Sequence, residues 1–409
     1  MIPRRITVVS LAVATSLLGD ATLYTVLPTH AEQLGIRLAL VGILLSANRF
    51  VRLFSNSWAG HIHDRFHSPW PFVMALLLGA CTTAIYGLLW GFWTFLIARL
   101  LWGVCWSFLR SEGYTAVIIE ASPDNRGRLM GMYKLIAHSG MMVGGFLGGV
   151  LTETIGYRNC LLLFASLSLL GAFAMFLEQS RSERNQSDKT AGAEHNTPIK
   201  AYEDIDTHTR PDKRTQIPEL WMIYLLGFTN ILVTGSVIGS TAGRLLKVRF
   251  GMTIPILRAS VGVASVTGVL MLVRRAMSLL LTPVFGHLAD RVGRRFVLVL
   301  GLTVSMISLL CLATQHNLIM ISLAVVAGST SGAAIFIALD ASIADASSEH
   351  RHGQLVGRYV TFTDLGSACG PLISYLLLGA KVGIEWLYIG GFVLLTGVCA
   401  LYGLRTRFA

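Results

Sequence analysis

Two runs in this sequence, Leu161–Leu177 and Phe296–Ala313, carry no charged residue at all. About 20 mostly apolar residues in a helix cross the hydrocarbon core of a bilayer, with every backbone group bonded inside the segment. Twelve stretches of this kind lie near 6–30, 38–61, 71–90, 93–120, 128–151, 157–178, 219–241, 263–288, 295–314, 317–344, 354–379 and 385–404. Charged residues make up only 13% of the chain and hydrophobic ones 53%, whereas a soluble protein carries about 25% charged residues. A transmembrane barrel would need short segments alternating apolar and polar residues, and that alternation is missing. The expected fold class is therefore an all-α membrane protein of twelve transmembrane helices. Arg4 and Arg5 precede the first stretch, but it continues as a full span without a small-residue cleavage site, so it reads as a helix and not as a signal peptide. The six cysteines all fall inside predicted spans and form no CxxC. They read as packing residues, with no metal site, disulfide framework or cofactor implied.

The net charge of +11 first suggests an anionic polymer, but its distribution argues against nucleic acid. With both termini cytoplasmic, the cytoplasmic segments hold about three times as many Lys and Arg as the outer ones. Membrane lipid is then the only large partner the charge requires. One exception is 242–258, which places Arg244, Lys247, Arg249 and Arg258 outside and reads as a segment lying along the membrane surface. Trp58, Trp70, Trp90 and Trp93 lie near span ends as an interfacial belt, while Trp102 and Trp106 read as core. Residues 179–217 form the long polar stretch and read as a cytoplasmic linker. It divides the chain into one six-helix bundle at 1–178 and another at 218–409.

The two halves repeat each other. Gly60-His-Ile-His-Asp64-Arg65 follows the second span, and Gly286-His-Leu-Ala-Asp290-Arg291 follows the eighth. A second match, between Arg126…Gly131…Tyr133 and Arg351…Gly357…Tyr359, falls at nearly the same offset. Parallel six-span repeats place a substrate site near the bilayer midplane between the halves. Gly286 through Arg295, with Asp290, Arg291, Gly293 and Arg294, is similar to the loop motif G-x-L-a-D-r-x-G-r-k of the major facilitator superfamily. The copy with Gly60, Asp64 and Arg65 lacks the last part of that motif and is instead rich in histidine: His61, His63 and His67. Arg99…Gly103 resembles the family's fourth-helix motif R-x-x-x-G. Gly19-Asp20…Tyr24…Leu27-Pro28 resembles the first helix of bacterial twelve-helix drug:proton antiporters. Gly140…Gly144-Gly145…Gly148-Gly149 resembles their fifth-helix motif, with Gly145 where proline is expected. The resemblance implies a monomeric secondary transporter of a bacterial inner membrane that exchanges protons for a small-molecule substrate. It also implies that Gly60, Asp64, Arg65, Gly286, Asp290, Arg291, Gly293 and Arg294 belong to gating loops.

Ionisable residues inside spans are costly and mark function. The repeat aligns Arg49 with Arg275 and His138 with Asp364. From their distance to the cytoplasmic ends, Arg49 and Asp364 are expected to pair across the halves, with Arg275 and His138 as the mirror pair. Asp20 and Arg99 are expected to pair deep in the first bundle. Asp20 is the leading proton-coupling candidate, with Glu112 and Asp364 behind it, although the pair also reads as a fixed structural contact and Arg110 as a neutraliser of Glu112. Arg49, Arg52, Arg99, Arg110, Arg275, His138 and Asp340 are the candidate substrate-binding residues. The excess of arginine over acid suits an anionic or zwitterionic cargo. Arg274 and Arg275 point about 100° apart on a helix, and the repeat favours Arg275 for the cavity. The preferred function is proton-coupled export of a small organic molecule. Uptake of an organic anion, a non-transporting sensor and an integral membrane enzyme are the alternatives. The last has no catalytic constellation to support it.

Overall fold

The computed structural model describes residues 3–66, 70–89, 91–120, 126–191, 217–256, 259–346 and 352–408. The first half consists of α1 (Arg4–His30), α2 (Leu38–Phe66), α3 (Trp70–Leu88), α4 (Phe92–Glu120), α5 (Arg126–Thr154) and α6 (Tyr157–Ala191). The second begins with α7 (Ile217–Asn230), a π-helical stretch at Ile231–Val237 and α8 (Ile238–Phe250), which run on as one span. It continues with α9 (Val263–Val292), α10 (Arg294–Thr314), α11 (Leu318–Ala346), α12 (His352–Gly379) and α13 (Ile384–Phe408). Among the described residues, 11 helices are long and apolar enough to cross a membrane. The twelfth span is α12, whose apolarity is lowered by Asp364, Ser367, Pro371 and Ser374. An even number of spans puts both termini and the polar connection between the halves on one face, called here the linker face.

Several boundaries differ from the sequence expectation. Helix α6 runs past 178 to Ala191, and residues 192–216 of the expected linker lie outside the described residues. So do His67, Trp90 and Arg258. Residues 242–250 do not lie flat on the surface. They complete α8, which then turns into an antiparallel hairpin of β1 (Thr253–Ile256) and β2 (Ala259–Gly262). The residues expected in gating loops are helical at the backbone: Gly60, Asp64 and Arg65 fall in the last turns of α2, and Gly286, Asp290 and Arg291 in the last turns of α9. Only Gly293 breaks the helix, with φ of 106°, a conformation that favours glycine. Arg294 then opens α10 and donates to the Ala341 carbonyl of α11 at 2.7 Å.

The fifth-helix glycines have a steric cause. A Cβ on Gly140 would overlap the Ala14 backbone, and one on Gly144 would come within 2.6 Å of Leu18 Cα, so α5 and α1 touch backbone to backbone. Gly149 does the same against Ala264 of α9, in the other half. Such close approach replaces the hydrophobic drive that lipid removes. The largest apolar cluster lies within the second half, and the others centre on the first. Trp102 is buried in one of these, with Leu76 and Cys105.

On the face opposite the linker, the halves are clipped together. Glu32 takes Arg244 Nη1 at 3.4 Å and Lys247 Nζ at 3.6 Å, and Lys247 also donates to the Thr29 carbonyl at 2.7 Å. Glu153, at the end of α5, accepts from the backbone N–H groups of Ala264 at 2.7 Å and Ser265 at 3.1 Å. Those are free donors of the first turn of α9, so the carboxylate caps a helix of the opposite half. Nearer the linker face, roughly 16 Å along α9 and roughly 22 Å along α5, Arg275 and His138 are both exposed. The halves are therefore joined on the far face by side chains from both.

Candidate functional site

The buried core of the first half holds an ion pair between Asp20 and Arg99. Arg99 is fully buried and Asp20 is 6% exposed. The local sequence explains how two charges reach each other here. Gly103, one turn beyond Arg99, lets α4 come so close that a Cβ would stand 2.6 Å from the Asn48 carbonyl of α2. That approach brings Arg99 Nε within 2.9 Å of the Leu44 carbonyl, and Arg99 Nη2 within 3.0 Å of the Tyr24 hydroxyl. Asn48 Nδ2 adds a donor to Asp20 at 3.4 Å. The pair expected from sequence is present, and its partners Tyr24 and Asn48 complete it.

Tyr24 joins this pair to the other half. The guanidinium groups of Arg99 and Arg49 each lie 5.2 Å from its ring centroid. Arg49 in turn donates to Ser236 Oγ of the π-helical stretch at 3.3 Å and to the Ser367 carbonyl of α12. The Arg49–Asp364 pair expected from sequence is not formed. Asp364 faces Arg52 instead, at 3.6 Å. The reason is helix phase: Arg49 and Arg52 are three residues apart on one face of α2, and α12 sits one turn displaced from the position the repeat implied. Both arginines still bridge the halves.

The mirror residues do come together. His138 of α5 lies within Coulombic reach of Arg275 of α9. Arg275 is also within reach of Arg49 and Tyr24, so both halves of the repeat meet at one level. Glu112 pairs with Arg5 at 3.3 Å and not with Arg110, because residues two apart on α4 point away from each other. Arg110 is half-buried within reach of Arg52 and Tyr133. Asp340 is exposed on α11, facing the Tyr359 hydroxyl, with Lys134 of the opposite half in Coulombic range. Lys134, Tyr24, Asn48, Ser236 and Glu153 were not singled out from sequence for these contacts. The available signal was a polar residue within a span at the level of a charged one.

Comparison with known proteins agrees with this architecture. The Major Facilitator Superfamily model matches residues 9–278 and 250–408. The multidrug resistance protein MdtG of Escherichia coli (strain K12 / DH10B) is 25% identical over 399 residues, covering 93% of this chain and 90% of the relative. An uncharacterized MFS-type transporter of Methanocaldococcus jannaschii is 19% identical, covering 94% of each chain. Among solved structures, a bacterial homologue of the human lysosomal transporter Spinster, inward-facing and occupied, superposes with a TM-score of 0.76. It has 14% identity and covers 98% of this chain and 96% of its own. The nucleoside transporter NupG gives 0.74 at 12% identity, covering 97% and 99%.

Proposed function

The chain belongs to the Major Facilitator Superfamily and is a multi-pass membrane transporter and not an enzyme, and on that premise we propose that it exports a small organic molecule in exchange for protons. The observation that carries this reading is the buried Asp20–Arg99 pair. A carboxylate this far from water is stable as an anion only while its cation stays in place. Proton arrival at Asp20 would therefore loosen Arg99 from it, leaving Arg99 to the Leu44 carbonyl and Tyr24. Tyr24 also holds Arg49, whose other contacts are on the opposite half. A protonation event is thus two side chains away from a contact that must break when the halves rock. Glu112, beside Arg5, and Asp364, beside Arg52, serve as secondary proton sites.

The relatives named for multidrug resistance support export over uptake. The arginines at the interface keep organic-anion uptake as the second reading. The concentration of Lys and Arg on the linker face supports cytoplasmic termini in a bacterial inner membrane, and the protein is read as a monomer. The test is transport in proteoliposomes under an imposed pH gradient. Flux should follow the gradient in the wild type and lose that dependence in Asp20→Asn. Flux that stays gradient-dependent in Asp20→Asn would sink the proton assignment, and the direction of gradient-driven movement decides between export and uptake.

A further inference from the structure

Arg274 is a buried arginine of α9 that, among the described residues, pairs with no acid. It is 8% exposed, its Nη1 reaches Ser329 Oγ at 3.3 Å, and its Nε has no hydrogen-bond partner. Its guanidinium lies against Gly239 of α8, where a Cβ would meet Nη1 at 2.9 Å. Gly239 is one turn beyond Ser236, whose hydroxyl accepts from Arg49. Arg49 from the first half and Arg274 from the second therefore address adjacent turns of the same span, about 4.5 Å apart along its axis. Arg275 follows Arg274 and is exposed.

The charges that reach Arg274 are those of Arg275 and Arg49, and those that reach Arg275 are Arg49 and Tyr24. No carboxylate is among them. Asp364, Asp20 and Glu112 are engaged by Arg52, Arg99 and Arg5 respectively. Guanidinium does not give up its proton, and three like charges in a low-dielectric interior repel one another strongly. An anion held among them removes that penalty.

We propose that Arg49, Arg274 and Arg275 form an anion-binding subsite of the transport cavity, and that the cargo is an organic anion presenting carboxylate, phosphate or phosphonate oxygens to them. This rests on the transport reading above and names its substrate class. The guanidinium fork matches two such oxygens. Arg49 is carried by α2 and the other two by α9, so one headgroup touches both halves. Its charge offsets the repulsion between them and favours their closing around the cargo. His138, within reach of Arg275, adds a ring nitrogen to the same headgroup.

The test uses the full chain in lipid nanodiscs, titrated with citrate and phenylphosphonate, and with tetraphenylphosphonium as the cationic probe. Affinity is read by calorimetry and folding by the thermal transition. Both anions should bind saturably, and Arg274→Gln and Arg275→Gln should each weaken them at least tenfold, while Arg358→Gln, exposed on α12, leaves them unchanged. Arg274→Lys keeps the charge but loses the fork and should fall between. It and Arg275→Gln carry the test if Arg274→Gln is not recovered folded. Unchanged anion affinity in the folded variants overturns the proposal. So does tetraphenylphosphonium binding, with pH-driven flux, in a protein that ignores both anions, a result that leaves the transport reading intact. Arginine-dependent anion binding without pH-driven flux upholds the subsite and fails proton-coupled export.

Discussion

Replacing Arg99 with glutamine tests the central pair most directly. Asp20 would keep Asn48 Nδ2 at 3.4 Å but lose its cation, and the Leu44 carbonyl would lose a donor at 2.9 Å. Removing one partner of a buried ion pair costs about 3–5 kcal/mol, because the other charge is left uncompensated. The Leu44 carbonyl keeps its bond within α2, so losing Arg99 there adds little. The expected loss is therefore about 3–5 kcal/mol of unfolding free energy. Asp20→Asn in the same background removes the stranded charge and should return about 2–3 kcal/mol, a coupling expected of residues in direct contact. The assay is reversible unfolding of the four proteins of the cycle. A double variant no more stable than Arg99→Gln would falsify the claim that Asp20 is held by Arg99 as an ion pair.

Three further outcomes follow from the geometry. Glu153→Gln weakens the cap on α9 by about 0.3–1 kcal/mol, since the group is exposed and partly screened. Spin labels at Gln33→Cys and Lys381→Cys, in a background without native cysteines, should then show a larger population of long distances on the far face, and an unchanged distribution would count against the clip. Arg52→Asp and Asp364→Arg should each lower transport and the pair together should restore part of it, whereas Arg49→Asp with Asp364→Arg should not. Recovery in the second combination instead of the first would reassign the partner. Gly144→Leu should destabilise by about 3 kcal/mol, as its Cβ meets the Leu18 backbone, which cannot yield cheaply. Gly145→Leu, whose nearest neighbour is Thr25 Oγ1 at 3.5 Å, should cost less in the same unfolding assay.

The spans, the repeat and the family motifs were legible in the chain because each depends on local pattern: apolar length, a fixed offset, glycine where backbones touch. The Asp20–Arg99 pair was legible for a related reason, since a buried acid needs a cation and the fourth-helix motif supplies one. The limits appear where one helical turn decides. Arg49 and Arg52 are about 4.5 Å apart along α2, within the uncertainty of any depth counted from span ends, and α2 extends to Phe66, past the end the loop motif implied. Choosing between them for Asp364 needed the actual docking of α12. The same holds for Glu112, paired with an N-terminal arginine on α1 and not with its sequence neighbour.

Sequence alone therefore determined that this chain crosses a membrane as two related bundles, and which residue types carry charge inside it. Tertiary structure decided which of those charges meet, because helix rotation and one-turn sliding alter no local pattern yet exchange every long-range partner. It also gave Arg274 its place: equal to Arg275 in sequence and turned about 100° from it, it lies buried with no acid among the described residues, while its neighbour is exposed.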